Sequence, residues 1–368
     1  MPQLSRIPVQ LADVTAVARD GAPVSLTSVV ERDLAASHAL FEAARAEGML
    51  LPPHDDRIAT DLSDESEERA AVFARLVSMT RGGSGIHPGV SHEHVFALNN
   101  RHRLPVPTNA AAIGVAALVV DDLVRLVNAS DFVVALSVSA LRASGAGGSA
   151  SPFSAQVQSA HRSHGQAASA ARIRAQLTDA DVTSVDPAAF RSAPQVNGAL
   201  ADAVTGLAAA VTLELNSRGD ETVVDLETES VTVGGNSELV ALTLAIERVR
   251  LALAHVGAAS ESRAAELKSE PNADPVIYFV NLPRPEYSAD VLGTLRLMQI
   301  SLAVTLSLLS HEAEVAAHIC SADEDALTPQ LRAYGDAVGL NYATDALLAA
   351  ANPAPSSEPT IEALDDEI

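Results

Sequence analysis

Residues 110–142, AAAIGVAALVVDDLVRLVNASDFVVALSVSALR, decide the fold. The run is mostly Ala, Val and Leu, has no proline and is far too long for a strand, so it predicts one helix over Ala110–Arg142. Asp121, Asp122 and Arg125 interrupt it, so it would not cross a bilayer without burying charge. It runs into Ser144-Gly145-Ala146-Gly147-Gly148-Ser149, which reads as a flexible connection.

Helical periodicity continues on both sides. Ser28–Ala46 is apolar at Val29, Leu34, Leu40 and Phe41. A second helix starts near Ser63, with Asp64, Glu65, Glu67 and Glu68 favouring its dipole, and runs to about Met79 before Gly82-Gly83. Gln166–Leu177, Gly198–Asn216, Ser237–Lys268, Asp290–His318 and Thr328–Ala351 follow. Glu221–Val233 alternates, is rich in Val and Thr, and predicts a small β-hairpin. The fold class expected is all-α, a bundle of long antiparallel helices with that hairpin near 221–233. Residues 1–26 are weakly patterned, 27–351 form the helical domain, and 352–368 read as a disordered acidic tail. Several helices are apolar on more than one face, which implies either a central, fully surrounded helix or burial against other subunits, the second being the more economical.

Composition narrows the function. Lys+Arg 24 against Asp+Glu 47 leaves a net charge of −23, which repels phosphate backbones and anionic lipid. Neither nucleic acid nor membrane is expected as a partner. Aromatics make up only 3 %, with no Trp, so the core must be packed from Ala, Val and Leu on closely approaching helices. The one cysteine, Cys320, cannot form an internal disulfide, and no signal peptide is visible; both suit the cytoplasm.

Five stretches, taken in order, resemble the histidine and phenylalanine ammonia-lyases. Ser151-Pro152-Phe153 through His164-Gly165-Gln166 is similar to "APFDPRVHALRPHPGQ". Phe190-Arg191-Ser192-Ala193-Pro194-Gln195-Val196-Asn197-Gly198-Ala199 resembles "LRCxPQVHGA". Leu213-Glu214-Leu215-Asn216 with Gly219-Asp220 resembles "IELNAATDNP", and Gly234-Gly235-Asn236 with Ser260-Glu261-Ser262-Arg263 resembles "SGGNFHG…LSERR". Upstream, Arg81-Gly82-Gly83-Ser84-Gly85 is similar to "RGHSG". The resemblance implies a helix bundle assembled as a homotetramer and a small-molecule substrate.

It also implies an electrophile, methylidene-imidazolone, cyclised from an internal Ala-Ser-Gly just after a "PVVP"-like turn. Here Leu104-Pro105-Val106-Pro107 leads directly into Thr108-Asn109-Ala110-Ala111, with no serine at that place. The expected cofactor is none. Ala143-Ser144-Gly145 is an Ala-Ser-Gly at a different position, and its Gly-rich flanks oppose the compression that cyclisation needs. The tyrosine loop of the family falls near Gly48–Thr60, where no Tyr occurs, and a late "QY" pair meets Gln299-Ile300.

By resemblance, Arg191 holds a substrate carboxylate, with Gln195, Asn197, Asn109 and Asn236 as further substrate contacts. His161, His164 and Glu324 are the candidate general acid–base groups, each weighed against a plain structural role. His87, His92, His94 and His102 cluster within a short stretch, but no Cys is near and no metal site is expected. The function expected is cofactor-independent lyase, isomerase or cyclase chemistry on a small or carrier-linked carboxylate or carbonyl compound. The alternative is a non-catalytic binding protein, or a subunit that partners an intact ammonia-lyase paralogue.

Overall fold

The computed structural model describes residues 3–5, 7–49, 59, 62–81, 87–178, 185–268, 291–320, 327–331 and 333. Its helices are α1 (Leu11–Ala18), α2 (Ser28–Ala46), α3 (Glu65–Thr80), α4 (Pro88–Asn100), α5 (Thr108–Ala143), α6 (Ala155–Ser159), α7 (His164–Gln176), α8 (Ala188–Arg191), α9 (Ala193–Leu215), α10 (Val240–Lys268) and α11 (Val291–Cys320). A two-residue parallel pair joins β1 (Gln3–Leu4) to β2 (Ser25–Leu26), and β3 (Thr222–Asp225) pairs antiparallel with β4 (Ser230–Val233). The all-α class and the hairpin near 221–233 are as the pattern of residues predicts. Beyond Pro329–Leu331, the helix expected over Thr328–Ala351 lies outside the described residues, as does the tail from 352.

Local chemistry sets the ends of these helices. Thr27 and Asp64 cap α2 and α3 by accepting from the Val30 and Glu67 amides. Two helices were not expected from the sequence: α1, which is only eight residues long, and α4, whose apolar pattern is weak. In α1, the Gln10 amide donates to Asp13 Oδ2 at 2.9 Å. In α4, His87 accepts from the Gly89 amide, Pro88 occupies the first turn, and left-handed Arg101 (φ 56°) ends the helix. The histidine stretch is therefore helical, with His92 exposed and His94 buried, its Nδ1 2.7 Å from the Val90 carbonyl. Helix α9 starts five residues earlier than expected because Pro194 falls in its first turn, where a missing N–H costs nothing.

The chain clusters into two compact units. Unit 1 comprises Met1–Val124, Leu200–Ala254 and Val276–Leu302; unit 2 comprises Arg125–Ala199, His255–Pro275 and Ala303–Ile368. In unit 1, α5 crosses α3 so closely that a Cβ at Gly114 would meet the Ala70 carbonyl and the Ala71 amide. Arg69 of α3, itself buried, donates to the Val17 carbonyl of α1 and the Leu98 carbonyl of α4. It thereby satisfies carbonyls at two helix ends.

Glu67 of α3 is buried beneath α11. It accepts two hydrogen bonds from Arg296 at 2.7 Å, one from the Ser63 amide at 2.8 Å and one from Gln299 Nε2 at 3.1 Å. Burial alone would raise its pKa, but Arg296, Ser63 and Gln299 together hold it at about 2. A carboxylate depressed from 4.5 stabilises the fold above that pH and loses its contribution as the pH falls from 4.5 towards 2. Glu67→Gln is expected to be less stable than the wild type near neutral pH and to show a flatter acid limb. Urea titrations across that range check this; parallel acid limbs would contradict it.

In unit 2, α10 and α11 are joined in the core. Arg263 and Glu312 are both fully buried, paired through Nε–Oε1 at 2.6 Å and Nη2–Oε2 at 2.9 Å. Ser137 of α5 donates to the same Glu312 Oε1 at 2.6 Å, and Arg263 Nη1 reaches the Ala189 carbonyl at 3.3 Å. Helices α9 and α11 are long and apolar enough to cross a bilayer by length and composition alone. Half of the apolar window in α11 is buried inside the structure, and the helix also carries buried Glu312, paired to Arg263.

Candidate functional site

Unit 2 brings together two of the motif-bearing strings. A Cβ on Gly198 of α9 would strike the backbone of Gly165 and Gln166 at the start of α7, so glycine is what permits this contact. Gln166 Nε2 donates to Gln158 Oε1 at 2.7 Å, and Gln158 Nε2 donates to the Pro152 carbonyl at 2.8 Å. Ser163 caps α7 through the Gln166 amide. His161 and His164, flanking that cap, are both exposed.

The Gly-rich stretch after α5 is pinned where a flexible connection was expected. Gly148 and Ser149 donate their amides to the two oxygens of buried Asp186, at 2.9 and 2.8 Å. Arg142 Nε clamps the Gly148 carbonyl at 2.6 Å. Gly148, with φ +95°, can adopt this path because it has no Cβ. Ala143-Ser144-Gly145 is the closing turn of α5. The Gly145 amide donates to the Arg142 carbonyl and the Ala146 amide to the Leu141 carbonyl, with Gly145 at φ +70°. That is a helix C-cap.

Arg191 ends α8 and is exposed; its Nε donates to the Asp186 carbonyl at 2.8 Å. Asp186 thus orders both the Gly-rich stretch and the arginine. Gln195, one turn on, is exposed. Asn197 is not: it is fully buried, and its Nδ2 donates to Asp131 Oδ1 at 2.9 Å.

Asp131, from the middle of α5, is the hub there. Ser169 Oγ donates to Oδ1 at 2.6 Å and Arg172 Nε to Oδ2 at 2.7 Å. Burial pushes the Asp131 pKa upward against the opposing pull of Arg172, Ser169 and Asn197. Among the described residues, Asn197 Oδ1 and Arg172 Nη2 remain buried without a partner. Asp131 belongs to none of the motif strings, but an acid inside an apolar helix signals a buried polar partner set.

Unit 1 gathers the other strings around the turn after α9. Asn109 Nδ2 donates to the Gly219 carbonyl at 3.0 Å, and Asn236 Nδ2 to the Arg218 carbonyl at 3.1 Å. Arg218 Nε donates to the Arg81 carbonyl at 2.8 Å, Arg81 Nη2 to Asn216 Oδ1 at 3.0 Å, and Arg75 Nη1 to Asp220 Oδ1 at 2.6 Å. The amide donors of Asn109 and Asn236 are thus engaged in shaping the turn. Glu324 and the segments 50–58 and 82–86 lie outside the described residues. Among the described residues, no group of three His, Cys, Asp or Glu could hold a metal.

The place where an Ala-Ser-Gly would have to cyclise can be tested directly. The Val106 carbonyl accepts from the Ala59 amide at 3.0 Å, and Thr108 already opens α5. No loop intervenes between Pro107 and the helix, and no Ala-Ser-Gly occurs there because the serine is missing. The residues present do not fit methylidene-imidazolone.

Long helices, a small hairpin and these motif contacts define a lyase-type helical scaffold. The aromatic amino acid lyase family matches residues 105–326, more than half of the chain, and the protein belongs to that family. Histidine ammonia-lyase of Bradyrhizobium diazoefficiens is 34 % identical over 154 residues, 39 % of this chain but only 29 % of that protein. The match therefore spans less than a third of that relative's length. Ergothionase from Treponema denticola, an ergothioneine-degrading enzyme solved with desmethyl-ergothioneine sulfonic acid, superposes with a TM-score of 0.81 at 15 % identity, covering 95 % of this chain and 98 % of that one. Tyrosine aminomutase from Streptomyces globisporus gives 0.77 at 18 % identity, covering 95 % and 96 %.

Proposed function

We propose that this chain is a lyase-, isomerase- or cyclase-type enzyme that works without methylidene-imidazolone on a small or carrier-linked carboxylate or carbonyl compound. One observation carries the reading: Pro107 runs straight into α5 with no Ala-Ser-Gly between. Without an internal electrophile to acidify a neighbouring C–H, the substrate must bring its own acidity or a better leaving group than ammonia. Arg191 is the anchor of this reading, since its Nε is held by Asp186 while the planar fork stands at the surface. His161, His164 and Glu324 are its acid–base groups, with Gln195, Asn109 and Asn236 shaping the surroundings. The scaffold serves ergothioneine degradation in one organism and an aminomutase in another, which supports a broad reaction class.

A homotetramer in the cytoplasm belongs to the same reading. Leu213, Leu244 and Leu251, on α9 and α10, are 65, 67 and 60 % exposed, apolar surface that assembly with other subunits would cover. Assembly with an intact paralogue is the competing use of that surface.

Metabolite screening of the purified chain, paired with its intact mass, tests the proposal. A carboxylate or carbonyl compound should be turned over by protein of full translated mass, and Arg191→Ala should weaken its binding tenfold or more. A mass lower by two waters, with borohydride-sensitive near-ultraviolet absorbance, would overturn the cofactor-free chemistry. Activity that appears only with a copurifying lyase would favour the partner subunit.

A further inference from the structure

The proposed chemistry leaves one face of unit 2 unexplained. No Asp or Glu occurs between Asp131 and Asp179, although the chain as a whole carries 47 acids against 24 Lys and Arg. The same stretch holds Arg142, Arg162, Arg172 and Arg174. Two of these are spent on the fold: Arg172 pairs with Asp131, and Arg142 clamps the Gly148 and Thr178 carbonyls. Arg162 and Arg174 are exposed, one just before α7 and the other near its end. Arg174 donates to the Phe153 carbonyl, a neutral acceptor that leaves its charge in place. Along the helix between them, Ala167, Ala171 and Ala175 recur every fourth residue, all exposed. The outward side of α7 is thus low and cationic in a strongly anionic protein.

We propose that this face docks an acidic carrier protein, which presents its acyl group to Arg191 as a thioester. The inference rests on Arg191 being the substrate anchor and names the form in which the substrate arrives. Size favours a macromolecule, because α7 rises about 15 Å from His164 to Arg174, more than one phosphate or carboxylate can bridge. The alanines leave room for a partner helix to approach, with its acids reaching Arg162 and Arg174 at the two ends. Position fits as well. Phe153, which holds Arg174, lies within about 14 Å of Ser149 along the chain. The Ser149 amide in turn holds Asp186, whose carbonyl orients Arg191. Chemistry supplies the reason for a carrier: without an internal electrophile the substrate must bring an acidic C–H, and a thioester carbonyl acidifies its neighbour where a free carboxylate does not. A polynucleotide fits less well, since α7 contains no Phe, Tyr or Trp on which a base could stack.

Isothermal titration calorimetry of the full chain, with a phosphopantetheine-bearing acyl carrier protein as the probe, tests this without turnover. Binding should saturate at one carrier per chain and weaken as salt is added. Arg162→Glu/Arg174→Glu should weaken it by about tenfold or more. Arg162→Glu alone, at an exposed position before the helix, should weaken it in the same direction. No binding at millimolar carrier, or unchanged affinity in the folded variants, would overturn the proposal. So would duplex DNA or anionic vesicles binding as tightly as the carrier, which would mark undirected attraction. These outcomes leave the cofactor-free chemistry itself standing, since metabolite screening with free substrates tests it separately.

Discussion

Arg263→Ala is expected to lose about 3–5 kcal/mol of stability, the cost of leaving a buried charge unpaired. Both partners of the Arg263–Glu312 pair are fully buried and joined by two short bonds. Removing the guanidinium leaves Glu312 in the core with Ser137 as its remaining side-chain donor among the described residues, and it releases the Ala189 carbonyl beside Arg191. Two charges replaced together should do less harm, because an apolar pair of similar volume carries no desolvation cost. Arg263→Met/Glu312→Leu is therefore expected to recover much of the loss. Urea denaturation with an unchanged slope is the measurement. A loss under about 1 kcal/mol for the single variant would show that Glu312 finds water or another partner.

Gly198→Ala is expected to cost about 1–3 kcal/mol, a large effect for one methyl group. The added Cβ would fall on the backbone of Gly165 and Gln166, which cannot rotate aside as a side chain can. Displacing α7 would also pull Ser169 and Arg172 away from Asp131, and Asn197, next to the substituted glycine, shares that hub. The same helix supplies the control. A Cβ at Gly206 meets only the Arg248 guanidinium at 3.7 Å, so Gly206→Ala should be neutral or stabilise α9 by up to about 1 kcal/mol through helix propensity. Thermal melts should show a lowered midpoint for Gly198→Ala and an unchanged or raised one for Gly206→Ala. Equal shifts would mean that α7 gives way easily.

How much could be read beforehand depended on where the signal lay. The range of α2 was legible because a cap and an apolar stripe mark both ends within a few residues. Helix α4 was not, since its buried residues, Ser91, His94, Ala97 and Leu98, include two polar ones that mask the stripe. The motif strings pointed to Arg191 and Asn197 as neighbours in sequence, but they face opposite fates. One stands at the surface and the other is sealed against Asp131, sixty-six residues away.

By itself, the order of residues determined the helical class, the hairpin, the family likeness and the missing serine before α5, because periodicity, turn chemistry and the presence of a reactive side chain are local properties. Only the tertiary structure decided which polar groups are spent on the fold. Asp131 with Asn197, Asp186 with the Gly148 and Ser149 amides, and Arg263 with Glu312 each join segments distant along the chain. A buried donor or acceptor must find a partner somewhere, and only packing determines which one comes within reach.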